Sequence, residues 1–317
     1  MSAPPRPRRS PASANLAALL AQATRRLARA RLVYGHGNID AREEAVILVA
    51  HAIGLRLSKL DSAALKKRVT EADRRRALAL VATRIEKRVP AAYLTHEAWL
   101  QGLRFYVDER VIVPRSFIAE LLSAQLEPWI DDPAGVSKAL DLCTGSACLA
   151  ILLAKNFPLA RVDAVDLSPP ALEVARRNVT RYRLGKRLRL VESDLFAALG
   201  KTRYNLIVSN PPYVTAATMR RLPPEYRREP AMALAGGEDG FSLVDIILAQ
   251  AARHLTVDGT LVVEIGHHRR RIEACYPRLP FVWPETSGGD DCVFVLRRAD
   301  LVAPGALQRR PARRPAT

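Results

Sequence analysis

From Lys138 onward the sequence alternates short β-branched runs with longer stretches at helical spacing, and few folds satisfy that alternation. Strands are predicted at 138–142, 161–165, 187–191, 204–209, 260–265 and 292–296, and helices at 148–156, 169–182 and 242–254. Parallel strands require covering crossovers, so the pattern predicts an α/β fold: a doubly wound, Rossmann-like sheet of about seven strands. A chain of 317 residues, 49% apolar, can build that sheet and a smaller partner domain.

The smaller domain precedes the sheet. Leu16, Leu19, Leu20 and Leu27, then Ala45, Leu48, Val49 and Ala52, recur at helical spacing with no β-rich run. Residues 15–92 are therefore expected as a small N-terminal helical domain. Helix starts are expected near Asp61 and Glu71, where an Asp or Thr cap precedes an Ala, Leu and Arg-rich stretch. After Pro90 aromatic and β-branched residues gather around Gly102, which predicts a hairpin within 98–113, ending at Pro114, in a linker spanning 93–115. A helix over 116–129 and a turn cluster at 131–135 then lead into a catalytic domain over 116–300.

Formal net charge is +17. Seven of the arginines, Arg6, Arg8, Arg9, Arg309, Arg310, Arg313 and Arg314, lie among Pro, Ala and Ser in segments 1–14 and 301–317, both expected as disordered basic tails. The body keeps about +10, which suits salt-sensitive attraction to ribosomal RNA or a ribosomal precursor; solvated surface charge is the open alternative. Four cysteines, Cys143, Cys148, Cys275 and Cys292, are too few for a disulfide framework, which points to a reducing, cytoplasmic compartment. The acid-free stretch before Asp40 invites a transit-peptide reading, but from Asn15 it reads better as an ordinary amphipathic helix. Charged residues interrupt every long apolar stretch, so no membrane span and no membrane partner are expected.

In a doubly wound sheet, ligands bind beyond the carboxyl ends of the strands where strand order reverses. The first strand runs into Asp141-Leu142-Cys143-Thr144-Gly145-Ser146-Ala147-Cys148, a glycine turn that brings backbone close to a ligand. The second strand ends at Asp166, placed to accept from both ribose hydroxyls of an adenosine. After the third, Asp194 and Leu195, with Phe196, offer a carboxylate and apolar faces to an adenine. A dinucleotide site would need further glycines at Ala147 and near Ile151, so a ligand without pyrophosphate, S-adenosyl-L-methionine, is the better match.

The fourth strand ends in Asn210-Pro211-Pro212-Tyr213. An amide nitrogen is a poor nucleophile because its lone pair is delocalised, so it must be held with that lone pair aimed at the methyl donor. The Asn210 side-chain carbonyl and Pro211 backbone carbonyl suit the two N–H groups of a planar amide or exocyclic amine. Tyr213 suits its flat face, and Pro211 and Pro212 stiffen the turn.

With these residues in place, the chain resembles the Asn-Pro-Pro-Tyr amino-group methyltransferases, which include adenine-N6 DNA methylases and protein-glutamine N5 methyltransferases. Tyr93-Leu94-Thr95-His96-Glu97-Ala98-Trp99 and the run Phe105 to Ser116 resemble the glutamine branch that acts on large-subunit ribosomal protein L-three. The release-factor branch has Pro-Arg-x-Glu-Thr-Glu where this chain has Pro114-Arg115-Ser116-Phe117-Ile118-Ala119. Glu229-Pro230-x-x-Ala233-Leu234-x-Gly236-Gly237-x-Asp239-Gly240 and Tyr34-Gly35-His36-Gly37 also match the glutamine family. The resemblance spans roughly Arg31 to Arg298.

It implies a class I methyltransferase sheet. It also implies cofactor contacts from Cys143, Thr144, Gly145, Ser146, Ala147, Asp166, Asp194, Leu195 and Asn210, with Tyr106 and Arg115 near the methyl group, and a glutamine held by Asn210 to Tyr213. Ala147 departs from the family's glycine, so the turn must form with a Cβ present at non-positive φ. Methylation of release-factor glutamine, methylation of DNA adenine, and a non-catalytic ribosome-assembly role stay as alternatives. His267-His268 ahead of Arg269-Arg270-Arg271 is read as a solvated loop, with no carboxylate or cysteine at ligand spacing and no metal expected. Glu264 receives no role.

Overall fold

A computed structural model describes residues 15–35 and 40–310; the expected tail 1–14, the segment 36–39 with His36 and Gly37, and residues 311–317 lie outside them. The chain divides into two compact units, Met1–Thr95 and His96–Thr317.

The first unit is helical: α1 (Leu16–Arg29), α2 (Ala41–Ala52), α3 (Ser62–Lys66), α4 (Glu71–Lys87) and α5 (Ala91–Thr95). Its caps are written in the sequence. Asn15 accepts from Ala18 N–H, Asp40 from Arg42 and Glu43, Asp61 from Ala64, and Thr70 from Asp73, each satisfying an N–H that the helix itself leaves free. Leu19, Leu27, Leu48, Val49 and Val81 close its core. Within that core Arg84 Nε donates to Glu44 at 2.6 Å, both side chains almost wholly buried.

The second unit opens with the hairpin β1 (Ala98–Leu100) and β2 (Leu103–Phe105). Gln101 and Gly102 at its tip both take positive φ, the backbone of a tight two-residue hairpin turn. The hairpin belongs with the sheet rather than forming a separate linker, because Tyr182 Oη donates to Arg104 O and Arg110 reaches Glu173. The helix expected over 116–129 is shorter: α6 (Ile118–Ser123) ends where Gln125 and Leu126 turn left-handed.

Then follow β3 (Lys138–Leu142), α7 (Cys148–Asn156), β4 (Arg161–Asp166), α8 (Pro169–Arg181), β5 (Leu188–Glu192), β6 (Tyr204–Ser209), α9 (Ala216–Met219), α10 (Ser242–His254), β7 (Leu255–Glu264), α11 (Arg269–Cys275), β8 (Val293–Arg297) and α12 (Arg298–Val302). The sheet order is β5-β4-β3-β6-β7-β8, parallel except for β8. Six strands form it, and the seventh position is held by one bridge, Val282 to Val295. Pro280 and Pro284 flank that bridge, and proline cannot donate to a ladder. One apolar layer packs α6, α7 and α8 on one face, and a second packs α10, α11 and α12 on the other.

Residues 301–310, expected as part of a disordered tail, are ordered. Leu301 and Ala306 are buried, Arg310 N–H donates to Cys275 O at 2.8 Å, and Arg309 pairs with Asp239 and Asp245. Arg-rich composition hid two apolar anchors there.

Candidate active site

The chain winds from β3 out to β5 and returns to place β6 on the other side of β3, so strand order reverses between β3 and β6. Leu142 and Ser209 are paired there, and Ser209 Oγ donates to Leu142 O at 3.0 Å. The two sequence-predicted turns, 143–147 and 210–213, therefore leave adjacent strand ends.

The first turn needs three left-handed residues: Cys143 (φ 59°), Gly145 (φ 53°) and Ala147 (φ 63°). Ala147 thus has positive φ, contrary to the expectation for a side chain with a Cβ, and the cost is about 1–2 kcal/mol. The turn is pinned from both sides. Thr144 N–H donates to Val165 O at 2.8 Å, and Gly145 N–H donates to Asp166 Oδ2 at 2.8 Å. Asp166 also accepts from Ser168 N–H, while burial pushes its carboxyl up.

Asp141, just before the turn, is buried and accepts from Thr144 Oγ1 at 2.5 Å and Ala150 N–H at 3.0 Å through one oxygen. Its Oδ1 is buried with no hydrogen-bond partner among the described residues. Burial pushes this carboxyl up to about 7. Asp194 is exposed, beside buried Leu195. Phe196 instead stacks on His254 at 4.7 Å inside the core and is turned away from a ligand role. The Cys143 thiol is pushed up by burial first, then by Asp166 and Asp141.

That charge set tests the cofactor. A pyrophosphate would stand beside the carboxylates of Asp166 and Asp194, whereas S-adenosyl-L-methionine carries a sulfonium and an ammonium that they attract. A Cβ added at Gly145 would meet nothing within 4 Å, so the turn faces open space. The orphaned Asp141 oxygen and the open glycine turn fit the methyl donor, and with only Gly145 in the turn the glycines of a dinucleotide site are missing.

The carboxamide of Asn210 has no partner among the described residues, while Pro211 is buried. Tyr213 is seated by glycines. A Cβ at Gly266 would stand 2.8 Å from its ring, and one at Gly236 would stand 2.6 Å from its Cα and 2.8 Å from Pro212 O. Val214 N–H donates to Leu234 O and Gly236 N–H returns to Val214 O, both at 2.8 Å, so the 229–240 motif braces the Asn-Pro-Pro-Tyr turn. Tyr213 Oη also faces Glu264 Oε1 at 3.4 Å, and burial first, then that charge, pushes its hydroxyl up. Glu264 itself accepts from Ser116 Oγ at 2.6 Å and Phe117 N–H at 2.9 Å, a structural task that its place in a strand did not reveal.

Tyr106 and Arg115 reach the site differently. Asn178 on α8 accepts from Tyr106 N–H at 2.7 Å and donates through Nδ2 to Tyr106 O and Ser146 O, coupling Tyr106 to the cofactor turn. Arg115 donates to both oxygens of Glu229, at 2.5 and 2.7 Å, and lies over Tyr226. Its fork is thus committed to the 229–240 brace. Sequence reasoning missed Asp141, Asn178 and Glu229 as site residues. The available signal was a polar residue on an apolar element: Asp141 in Ala-Leu-Asp-Leu, and Asn178 on the face of Val174, Ala175 and Val179.

His267 is not free of ligand-type neighbours: its Nδ1 lies 2.8 Å from Asp291 Oδ1 and 3.4 Å from Cys292 Sγ, residues too distant in sequence for spacing to reveal. Burial and Asp291 push that thiol up to about 12. No helix among the described residues is long and apolar enough to cross a membrane.

Residues 120–222 match the family model described as the methyltransferase small domain. Over 89% of this chain and 95% of the relative, the sequence is 54% identical to the ribosomal protein uL3 glutamine methyltransferase of Bordetella pertussis. It is 50% identical to that of Burkholderia pseudomallei over 90% and 95%. A solved methyltransferase from Pyrococcus furiosus is similar at 20% identity and TM-score 0.46, over 63% of this chain and 90% of that one.

Proposed function

Because this chain belongs to the family of ribosomal protein uL3 glutamine methyltransferases, we propose that it methylates the side-chain amide nitrogen, N5, of a glutamine in uL3, the large-subunit protein L-three. The observation that carries the reading is the unpartnered Asn210 carboxamide on a braced turn beside a carboxylate-lined cofactor turn. When bound, S-adenosyl-L-methionine supplies an electrophilic methyl group on a sulfonium. Cys143 to Ala147 with Asp166, Asp194 and Leu195 would hold it, and Asp141 would face its positive charge.

The protein's part is to make an amide nitrogen nucleophilic. Asn210 Oδ1 and the Pro211 carbonyl accept the two amide N–H groups, which orients the nitrogen lone pair and stabilises positive charge as it builds on nitrogen. Tyr213 packs on the flat amide. No strong base is required, because an N-alkylated protonated amide loses its proton readily to an accepting carbonyl or water. Arg115 and Glu229 act through the brace, as positioning residues. The helical unit, 15–92, is read as the substrate-recognition domain, and the basic body as meeting the RNA of a ribosomal precursor, in the cytoplasm.

Mass spectrometry of uL3 and of release factors after incubation with enzyme and methyl donor tests the reading. One methyl on a uL3 glutamine, lost in Asn210→Ala, is expected. A methyl on the release factor alone, or uL3 methylation that survives in Asn210→Ala, would overturn it.

A further inference from the structure

At the amino ends of β3, β4 and β5, the sheet end opposite Leu142, Asp166 and Ser209, lies a cavity of about 260 Å3. Five cationic side chains line it against one carboxylate. Lys138 and Arg161 are the first residues of β3 and β4, Lys186 and Arg187 precede β5, and Arg189 lies on it. The single carboxylate, Asp163, is already engaged, accepting from Arg189 Nε and Nη2 at 2.8 and 2.9 Å and from Tyr204 Oη at 2.7 Å.

Arg187 is held by carbonyls at the end of α7, donating to Ala154 O at 2.6 Å and Pro158 O at 2.9 Å. Lys138, Arg161 and Lys186 are exposed and form no ion pair among the described residues. Like charges gathered in a concavity focus a positive potential into it and attract anions.

We infer that this cavity is a binding site for the phosphate backbone of RNA. The cationic surface continues through the same loops, with Arg183 and Arg203 exposed, so it suits an extended polyanion more than a single small anion. Tyr204, the cavity's one aromatic residue, is buried and offers no stacking face. Recognition therefore rests on phosphates and carries no base preference. Lying opposite the methyl-transfer turns, bound RNA leaves the cofactor end open while its ribosomal protein is modified. That consequence rests on the proposed uL3 substrate; the RNA contact itself does not.

Fluorescence anisotropy of a short labelled single-stranded RNA, titrated with the full chain across a salt series, tests the site. Replacing Lys138, Arg161 and Lys186 together with Gln should weaken binding about tenfold or more, and lower the salt slope by roughly 2, at about 0.7 per lost phosphate contact. Removing three charges elsewhere, Lys66, Lys67 and Arg75 to Gln, should change it much less. Equal losses in both variants would mean diffuse charge attraction and would overturn the site, as would a cavity variant that binds RNA like the parent. Methylation of isolated uL3 should be unaffected in the cavity variant. If the parent fails to methylate uL3 yet binds RNA through the cavity, the substrate reading fails and the RNA site stands; loss of uL3 methylation in the cavity variant with RNA binding intact would assign the cavity to protein and overturn the inference.

Discussion

Asp141 is the buried carboxyl at the start of the cofactor turn. Its carboxyl is raised from 3.8 to about 7 by burial, so the cofactor-free fold favours the protonated acid. The sign follows: ionising a group with a raised folded-state value costs stability, so the cofactor-free protein loses stability as pH rises from about 4 to about 7. A cation beside it reverses that preference. Affinity for S-adenosyl-L-methionine should therefore increase as pH rises toward about 7, with proton uptake by buffer, and flatten above it. Calorimetric titrations in buffers of different ionisation enthalpy measure both effects. Asp141→Asn should remove the pH dependence, and a variant that keeps it would assign the titration elsewhere.

Ala147 gives the opposite kind of residue-scale test. Glycine there would lose a buried methyl worth about 0.8 kcal/mol and relieve left-handed strain of about 1–2 kcal/mol. Ala147→Gly is expected to stabilise by a few tenths to about 1 kcal/mol, read as a raised midpoint in thermal unfolding. The turn itself was legible in the sequence because Gly145, Asp166 and Asn210 sit at strand ends. Asp141 and Asn178 were not, since their partners are Ala150, Tyr106 and Ser146, contacts that only the crossovers create.

Periodicity marks the elements of this chain, and it fails where an edge is irregular. The inner strands β3 and β6 bury all but one residue each and stand out as apolar runs. The seventh strand shrinks to Val282 because neighbouring prolines forbid pairing, and the 301–310 segment was hidden by its arginines. The same view explains the glycines of the 229–240 brace. A Cβ at Gly236 meets the backbone of Tyr213, Pro212 and Gly240 at 2.6 to 2.8 Å, and backbone cannot swing aside as a side chain can. Gly236→Ala should cost about 1–3 kcal/mol by overpacking and reduce methylation beyond that, because the brace fixes the turn that holds the amide. A variant with unchanged unfolding and unchanged turnover would show that the brace is not needed for either.

At the scale of the whole molecule, each unit encloses its own core, and the helical one is built around a buried charge pair. Removing one partner of such a pair strands the other in low dielectric and costs about 3–5 kcal/mol, whereas replacing both with apolar residues is often neutral or stabilising. Arg84→Ala should thus lower the unfolding transition of the helical unit steeply, while the pair Arg84→Leu with Glu44→Leu should largely restore it. The cofactor contacts proposed here all lie in the sheet unit, so S-adenosyl-L-methionine should raise that unit's transition by mass action in the parent and in both variants alike. Scanning calorimetry with and without the methyl donor separates the two. A cofactor response that vanishes in Arg84→Ala would mean that the helical unit's fold is required for cofactor binding, and the division of labour between the units would have to be redrawn.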